Sequence, residues 1–410
     1  MAPNLASPGG NPRFPLFDAL RAVAALAVFT GHVVIATHPF DRSPTVFAQA
    51  AVVAKEGVAI FFLISGFLLY RPFLTARVAG IRLSLADYAR RRVLRIVPAY
   101  WVALSLLLLG GLVHGVTAGN WWLFYGFGQV YGPGTIDGGI GIAWTLCIEV
   151  TFYLALPAFA LLAERLGSRR HALRSDVAIL VTLAVASLAY RFHFSSNIFE
   201  VWKISTLPGT FFWFALGMGL AIASVAIEAR GDEASTLARS VTKHPTLLWA
   251  VALILLIAAF EAQTTMSSLQ WGLFVQFVLQ GLAALLVLLP GVFDDTGRGL
   301  ARSVLRLRGL AWIGLVSYAF YLYHPVVIEQ VMTFARDEHL PHPLLGVLAV
   351  SFLVTCACAA SSYYLVERPI MRIKGLATLS DWRTGFREPP RTPVVEILEP
   401  AVVVADEQGA

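Results

Sequence analysis

Ten apolar runs of membrane-spanning length, separated by short polar connections, constrain this chain more than any other feature. They fall at residues 17–36, 50–70, 97–113, 141–163, 176–192, 205–227, 246–262, 270–290, 310–333 and 343–366. A hydrocarbon core about 30 Å thick is crossed by about 20 helical residues. Backbone N–H and C=O groups in that medium find partners within the segment itself, which selects the α-helix. The expected fold is all-α, a polytopic membrane helix bundle of about ten transmembrane helices. Composition agrees, with 57% hydrophobic and 14% charged residues, where about a quarter are charged in soluble domains.

Charge placement predicts the orientation. If the N-terminus is cytoplasmic, the outer connections hold only Arg42, Lys55, Arg191, Lys203 and Arg336 of the 31 Lys and Arg residues. Arg21 lies within the first span and the rest fall inside, the pattern of the positive-inside rule. Both termini are therefore expected in the cytoplasm, in a multi-pass protein of the cytoplasmic membrane. The net charge of +6 is accounted for by these clusters, so nucleic acid is not an expected partner; the lipid bilayer is.

Residues 1–14 are rich in Pro, Gly and Asn and read as a disordered tail without signal-peptide features, so the first helix is expected to be retained. Residues 375–410 read as a disordered cytoplasmic tail, leaving 15–374 as the transmembrane domain. Cys147, Cys356 and Cys358 all lie in apolar runs, so no disulfide framework is indicated. No metal-ligand, Walker or dinucleotide motif is present, and no metal is expected.

The first span, FDALRAVAALAVFTGHVVIA, carries Asp18, Arg21 and His32. Eleven positions separate Arg21 from His32, which puts them on one helix face about 16 Å apart. Ionisable groups inside a membrane normally face a bundle interior or a wet cavity. Arg21 needs an anion, either Asp18 one turn earlier or a ligand phosphate or carboxylate. His32 is either a satisfied bundle histidine or a general base for a hydroxyl.

Other spans add candidates. Ala86–Trp101 reads as a cationic amphipathic helix that turns at Pro98 into the third span; Arg92 and Arg95, spaced i, i+3, either clamp a polyanion or face anionic lipid. Glu149 is the carboxylate of the fourth span, with His32 at comparable depth as its natural partner and Tyr153 on the same face. His324, followed by Pro325, reads as a kink or cavity wall. Trp121, Trp122, Phe124, Tyr125 and Tyr131 form either an interfacial belt or a stacking platform.

Together RAVAALAVFTGH, GVAIFFLISGFLL, RRVLRIVPAYW, WTLCIEVTFYLALP, SYAFYLYHP and YYLVERP resemble, in order, the acyltransferase 3 family of integral membrane O-acyltransferases. The resemblance covers Phe17 to Lys374. It implies transfer of an acyl group, commonly acetyl, from cytoplasmic acyl-CoA to a hydroxyl of a carbohydrate, glycolipid or glycoside. Acyl-CoA, acetyl-CoA above all, is thus the implied donor substrate, with no permanently bound cofactor. The resemblance also implies Arg21 and His32 as the central pair, Arg92 and Arg95 as the inner cationic motif, and Glu149 as the acidic residue of the fourth span.

Two departures matter. Val150 stands where the family often has a second acidic residue, and the C-terminal hydrolase-like domain of some members is not expected here, so the chain is expected to act alone or with a partner. On this reading Arg92 and Arg95 hold the CoA phosphates, and Arg21 orients the thioester arm. His32 deprotonates the acceptor, and Glu149 fixes its tautomer. Asp18, Tyr153 and His324 are supporting residues. Two rivals are a proton-coupled secondary transporter using His32, Glu149 and His324 as a relay, and an inactive glycolipid-binding protein.

Overall fold

In the computed structural model the described residues are 14, 16–37, 57–81, 83–132, 134–167, 172–196, 200–230, 243–293, 299–338 and 344–372. Among them are 10 helices long and apolar enough to cross a membrane, and no strand. In chain order these are α1 (Phe17–Thr37), α2 (Val58–Ala79), α3 (Leu85–Leu109), α4 (Trp144–Leu166) and α5 (Ala172–Phe194), then α6 (Leu207–Arg230), α7 (Pro245–Thr265), α8 (Leu269–Phe293), α9 (Arg308–Asp337) and α10 (Leu344–Ser362). A π-helical turn, Tyr363–Glu367, continues α10. Each expected span is a helix. The expected start of the second, at residue 50, lies outside the described residues, as do both expected tails except Phe14. Phe14 is buried, with its ring 4.9 Å from that of Phe67 and 5.5 Å from that of Phe17.

The cationic run before Pro98 is not a separate element. α3 continues unbroken through Pro98, because buried Ile96, Ala99 and Tyr100 hold the chain on both sides of the one backbone bond a proline forfeits. Its start is set by Ser84, whose hydroxyl accepts from the Asp87 N–H at 3.1 Å, with Asp87 placed in the first turn where a negative charge suits the helix dipole.

Close helix pairs fix the interior. In a bilayer, lipid is as apolar as the helices, so association depends on small residues that let backbones approach. At Gly314 of α9 a Cβ would fall 1.8 Å from the Asp18 carbonyl oxygen of α1, so these helices touch backbone to backbone. Further along the pair, the rings of Phe29 and Phe320 lie 5.5 Å apart. α2 meets α6 in the same way: a Cβ on Gly66 would stand 2.3 Å from the Phe214 oxygen, and one on Gly217 would stand 2.1 Å from the Leu63 oxygen.

Polar contacts pin the last turns of α2. Arg77 pairs with buried Asp176 of α5, which also accepts the Tyr70 hydroxyl at 2.5 Å. Arg71 bonds Glu228 of α6 at 2.5 Å. These arginines are engaged in joining helices.

The connection between α3 and α4 folds over the opposite end of the bundle. Gln129 is buried within it and donates to the Ile136 oxygen at 3.1 Å, while the Tyr100 hydroxyl of α3 donates to the Phe124 oxygen at 3.1 Å. Trp121 and Trp122 remain exposed, as an interfacial belt requires.

Candidate active site

Two cavities share the α1 wall. The first, of about 380 Å³, lies among α1, α2, α3, α4 and α9 and is lined by Arg21, Arg92, Arg95, Glu149, Tyr153 and Tyr318, among others. Five of the expected site residues thus meet at one place. The second, of about 590 Å³, opens at the end covered by the α3–α4 connection and is lined by His32, His114, Asp137, Trp144 and Glu329 together with a run of glycines. None of the five aromatics from Trp121 to Tyr131 lines it, so a stacking platform at this cavity is not formed by them.

Within the first cavity, Arg21 Nη1 bonds Asp18 Oδ1 at 3.0 Å, the i, i+3 pair open to it from spacing. The Arg92 guanidinium lies 5.8 Å from the centre of the Tyr153 ring, within cation–π range. Glu149 accepts the hydroxyl of Ser65 from α2. The expected pairing of Glu149 with His32 is therefore corrected: equal depth placed them level, but Glu149 faces α2 and the first cavity, whereas His32 faces α9 and lines the second.

His32 pairs with His324. Nδ1 of His32 and Nε2 of His324 are 3.1 Å apart. Nδ1 of His324 stands 2.8 Å from the Tyr321 carbonyl oxygen and 3.3 Å from that of Phe320. A carbonyl only accepts, so His324 carries its proton on Nδ1, and its Nε2 lone pair receives the His32 Nδ1–H. That assigns the basic lone pair of His32 to Nε2. His324 is 1% exposed and stands as a direct partner of His32, a role the reading as a kink or wall did not contain.

The partition between the cavities is built from α9 and the start of α4. Tyr321 and Thr145 line the first cavity, Pro325 and Trp144 the second. Tyr321 and Thr145 join their hydroxyls at 3.0 Å, and the ring centres of Tyr321 and His324 are 5.6 Å apart. Two turns of α9 thus present Tyr318 and Tyr321 to the first cavity and Pro325 to the second, with buried His324 just before it. Ser65, Thr145 and Tyr321 escaped sequence reasoning because hydroxyl residues in apolar runs are common and carry no spacing signal. The cluster FFLISG, which contains Ser65, was the available hint.

A family model described as "Acyltransferase domain" (Acyl_transf_3) matches residues 15–363. The chain belongs to the acyltransferase 3 family. This acyltransferase is 28% identical over 387 residues to Nodulation protein 10 of Rhizobium leguminosarum bv. viciae, covering 87% of this chain and 93% of that protein. It is 24% identical over 383 residues to YrhL of Bacillus subtilis (strain 168), provisionally named a peptidoglycan O-acetyltransferase, covering 89% of this chain and 56% of that one. It is 23% identical over 424 residues to O-acetyltransferase OatA of Staphylococcus aureus (strain MRSA252), covering 97% of this chain and 64% of that one. The chain therefore spans less than two thirds of the length of the latter two. No solved structure matches it. Acyltransferase 3 membership and O-acetyltransferase relatives support a multi-pass membrane O-acyltransferase. Among the described residues no group of His, Cys, Asp and Glu is arranged to hold a metal ion.

Proposed function

We propose that this acyltransferase takes an acetyl group from acetyl-CoA in the first cavity and delivers it to a carbohydrate hydroxyl in the second. The observation that carries the reading is that two cavities lie on either side of one partition, with Arg21 lining the first and His32, paired with buried His324, lining the second. The basic residues of the first cavity, and the positive-inside distribution, support a donor cavity at the cytoplasmic end with both chain termini on that side.

In this mechanism Arg92 and Arg95 engage the CoA phosphates as charge-assisted donors, and Arg21, held by Asp18, orients the pantetheine arm. Glu149 balances these cations when no donor is present. Because the arm is extended, the thioester reaches the partition lined by Thr145 and Tyr321 while the phosphates remain at the mouth. His32 Nε2 takes the proton of the acceptor hydroxyl as its oxygen bonds the thioester carbonyl carbon. The C–S bond then breaks, the proton passes to the departing thiolate, and free CoA and the acetyl ester result. His324 holds the His32 tautomer and stabilises the imidazolium through the Nδ1–H bond.

The names of two relatives, which specify O-acetyl transfer, support acetyl as the group; a carbohydrate acceptor rests on the family resemblance and on one relative's name. The test is mass spectrometry of cell-envelope glycans and secreted glycosides from cells with and without the protein, grown on isotopically labelled acetate. Appearance of one labelled acetyl ester on a glycan or glycoside only when the protein is present is expected; identical profiles overturn the acceptor class.

A further inference from the structure

Glu367 is 3% exposed, and neither of its carboxylate oxygens has a hydrogen-bond partner among the described residues. Buried carboxylates are ordinarily paired or hydrogen-bonded, because desolvation without compensation is costly. Its backbone is also unusual: Glu367 closes the π-helical turn Tyr363–Glu367 at the end of α10, and such turns concentrate at functional sites. The mechanism above makes no use of it.

The π-helical turn packs against α3, the helix that carries Arg95. The Arg95 Nη1 rests 3.4 Å from the sulfur of Met371, and Met371, at i+4 from Glu367, lies one turn away on the same helix face. A thioether is a weak acceptor, so the guanidinium sits on a poor partner one helical turn from a buried carboxylate. The backbone beneath Arg95 is fixed, since the Tyr318 hydroxyl donates to the Ile96 oxygen at 2.8 Å. Only the side chain is left to move. Arg95 also lines the donor cavity, and a guanidinium carries five N–H donors in a planar fork.

We propose that Glu367 is a positioning residue for Arg95, holding one edge of its guanidinium at the end of α10 so that the other edge is presented to a phosphate of the donor. The carboxylate supplies the fixed side of the fork, and the ligand supplies the other. This inference rests on acyl-CoA occupying the first cavity.

The test is a double-mutant cycle of Glu367→Gln and Arg95→Gln in lipid nanodiscs, with acetyl-CoA KM and kcat measured separately. Glu367→Gln is expected to raise KM about tenfold with little change in kcat, and the double variant is expected to match Arg95→Gln alone. A Glu367→Asp protein, which keeps the charge but shortens its reach, is expected to lie between; it also serves if the Gln variant is not monodisperse. An unchanged KM in Glu367→Gln, a loss confined to kcat, or KM effects that multiply in the double variant would each overturn the proposal. Absence of acetyl-CoA turnover by the wild-type protein overturns the donor assignment, whereas turnover with an unaltered Glu367→Gln KM overturns only the role of Glu367.

Discussion

Nδ1 of His32 lies 3.1 Å from Nε2 of His324, and this contact joins α1 to α9 at the wall between the two cavities. It gives the α1 histidine an acceptor within the membrane and orients its remaining lone pair. Removing His324 leaves the His32 Nδ1–H without that acceptor. His324→Ala is expected to lower kcat on the order of 10²-fold with acetyl-CoA KM nearly unchanged. His324→Gln, whose side-chain carbonyl can accept, is expected to recover part of the loss. Steady-state kinetics with the two substrates varied separately checks both.

Arg92 and Arg95 line one cavity but are assigned to phosphates, away from the reacting carbonyl. Arg92→Gln and Arg95→Gln are each expected to raise acetyl-CoA KM about tenfold, the scale of one charge-assisted hydrogen bond. The wild-type KM is expected to rise with ionic strength, and less steeply in either variant. Measurements of KM at low and high salt test this.

The α1–α9 contact depends on Gly314, where an added Cβ would fall 1.8 Å from the Asp18 carbonyl oxygen. Both partners there are backbone, so relief requires the helices to separate. Gly314→Ala is expected to cost about 1–3 kcal/mol and to depress kcat through displacement of the histidine pair. Thermal unfolding in nanodiscs, alongside kcat at a temperature where the variant remains folded, separates the two effects.

Orientation is testable by labelling. In a background with Cys147, Cys356 and Cys358 replaced by Ala, single cysteines are placed at exposed Leu85 and Trp122. Leu85→Cys is expected to react with an impermeant maleimide only after the cytoplasmic face is opened, and Trp122→Cys in intact cells. The reverse pattern inverts the donor and acceptor assignments.

Much of this architecture was legible in the chain because bilayer thickness converts apolar length directly into helices, and all ten runs became them. Arg21, Arg92, Arg95, Glu149 and Tyr153 share a cavity because ionisable groups in spans seek a common interior. What sequence could not supply was azimuth between helices. Depth along the membrane made Glu149 the natural partner of His32, whereas the Gly314–Asp18 approach turns α9 toward α1 and delivers His324 instead. The continuity of α3 through Pro98 was likewise decided by packing on both sides, which local sequence does not display.

The most direct test of the central claim follows CoA release from acetyl-CoA by purified wild-type and His32→Ala proteins in nanodiscs, with and without an extract of the acceptor glycans. The wild-type protein is expected to release CoA only when acceptor is present, with equal acetyl recovered on the glycan, a readout a transporter would not give. His32→Ala is expected to bind acetyl-CoA normally yet fall by 10²- to 10⁴-fold in rate. Acceptor-dependent CoA release at the wild-type rate from a folded His32→Ala protein would contradict the account.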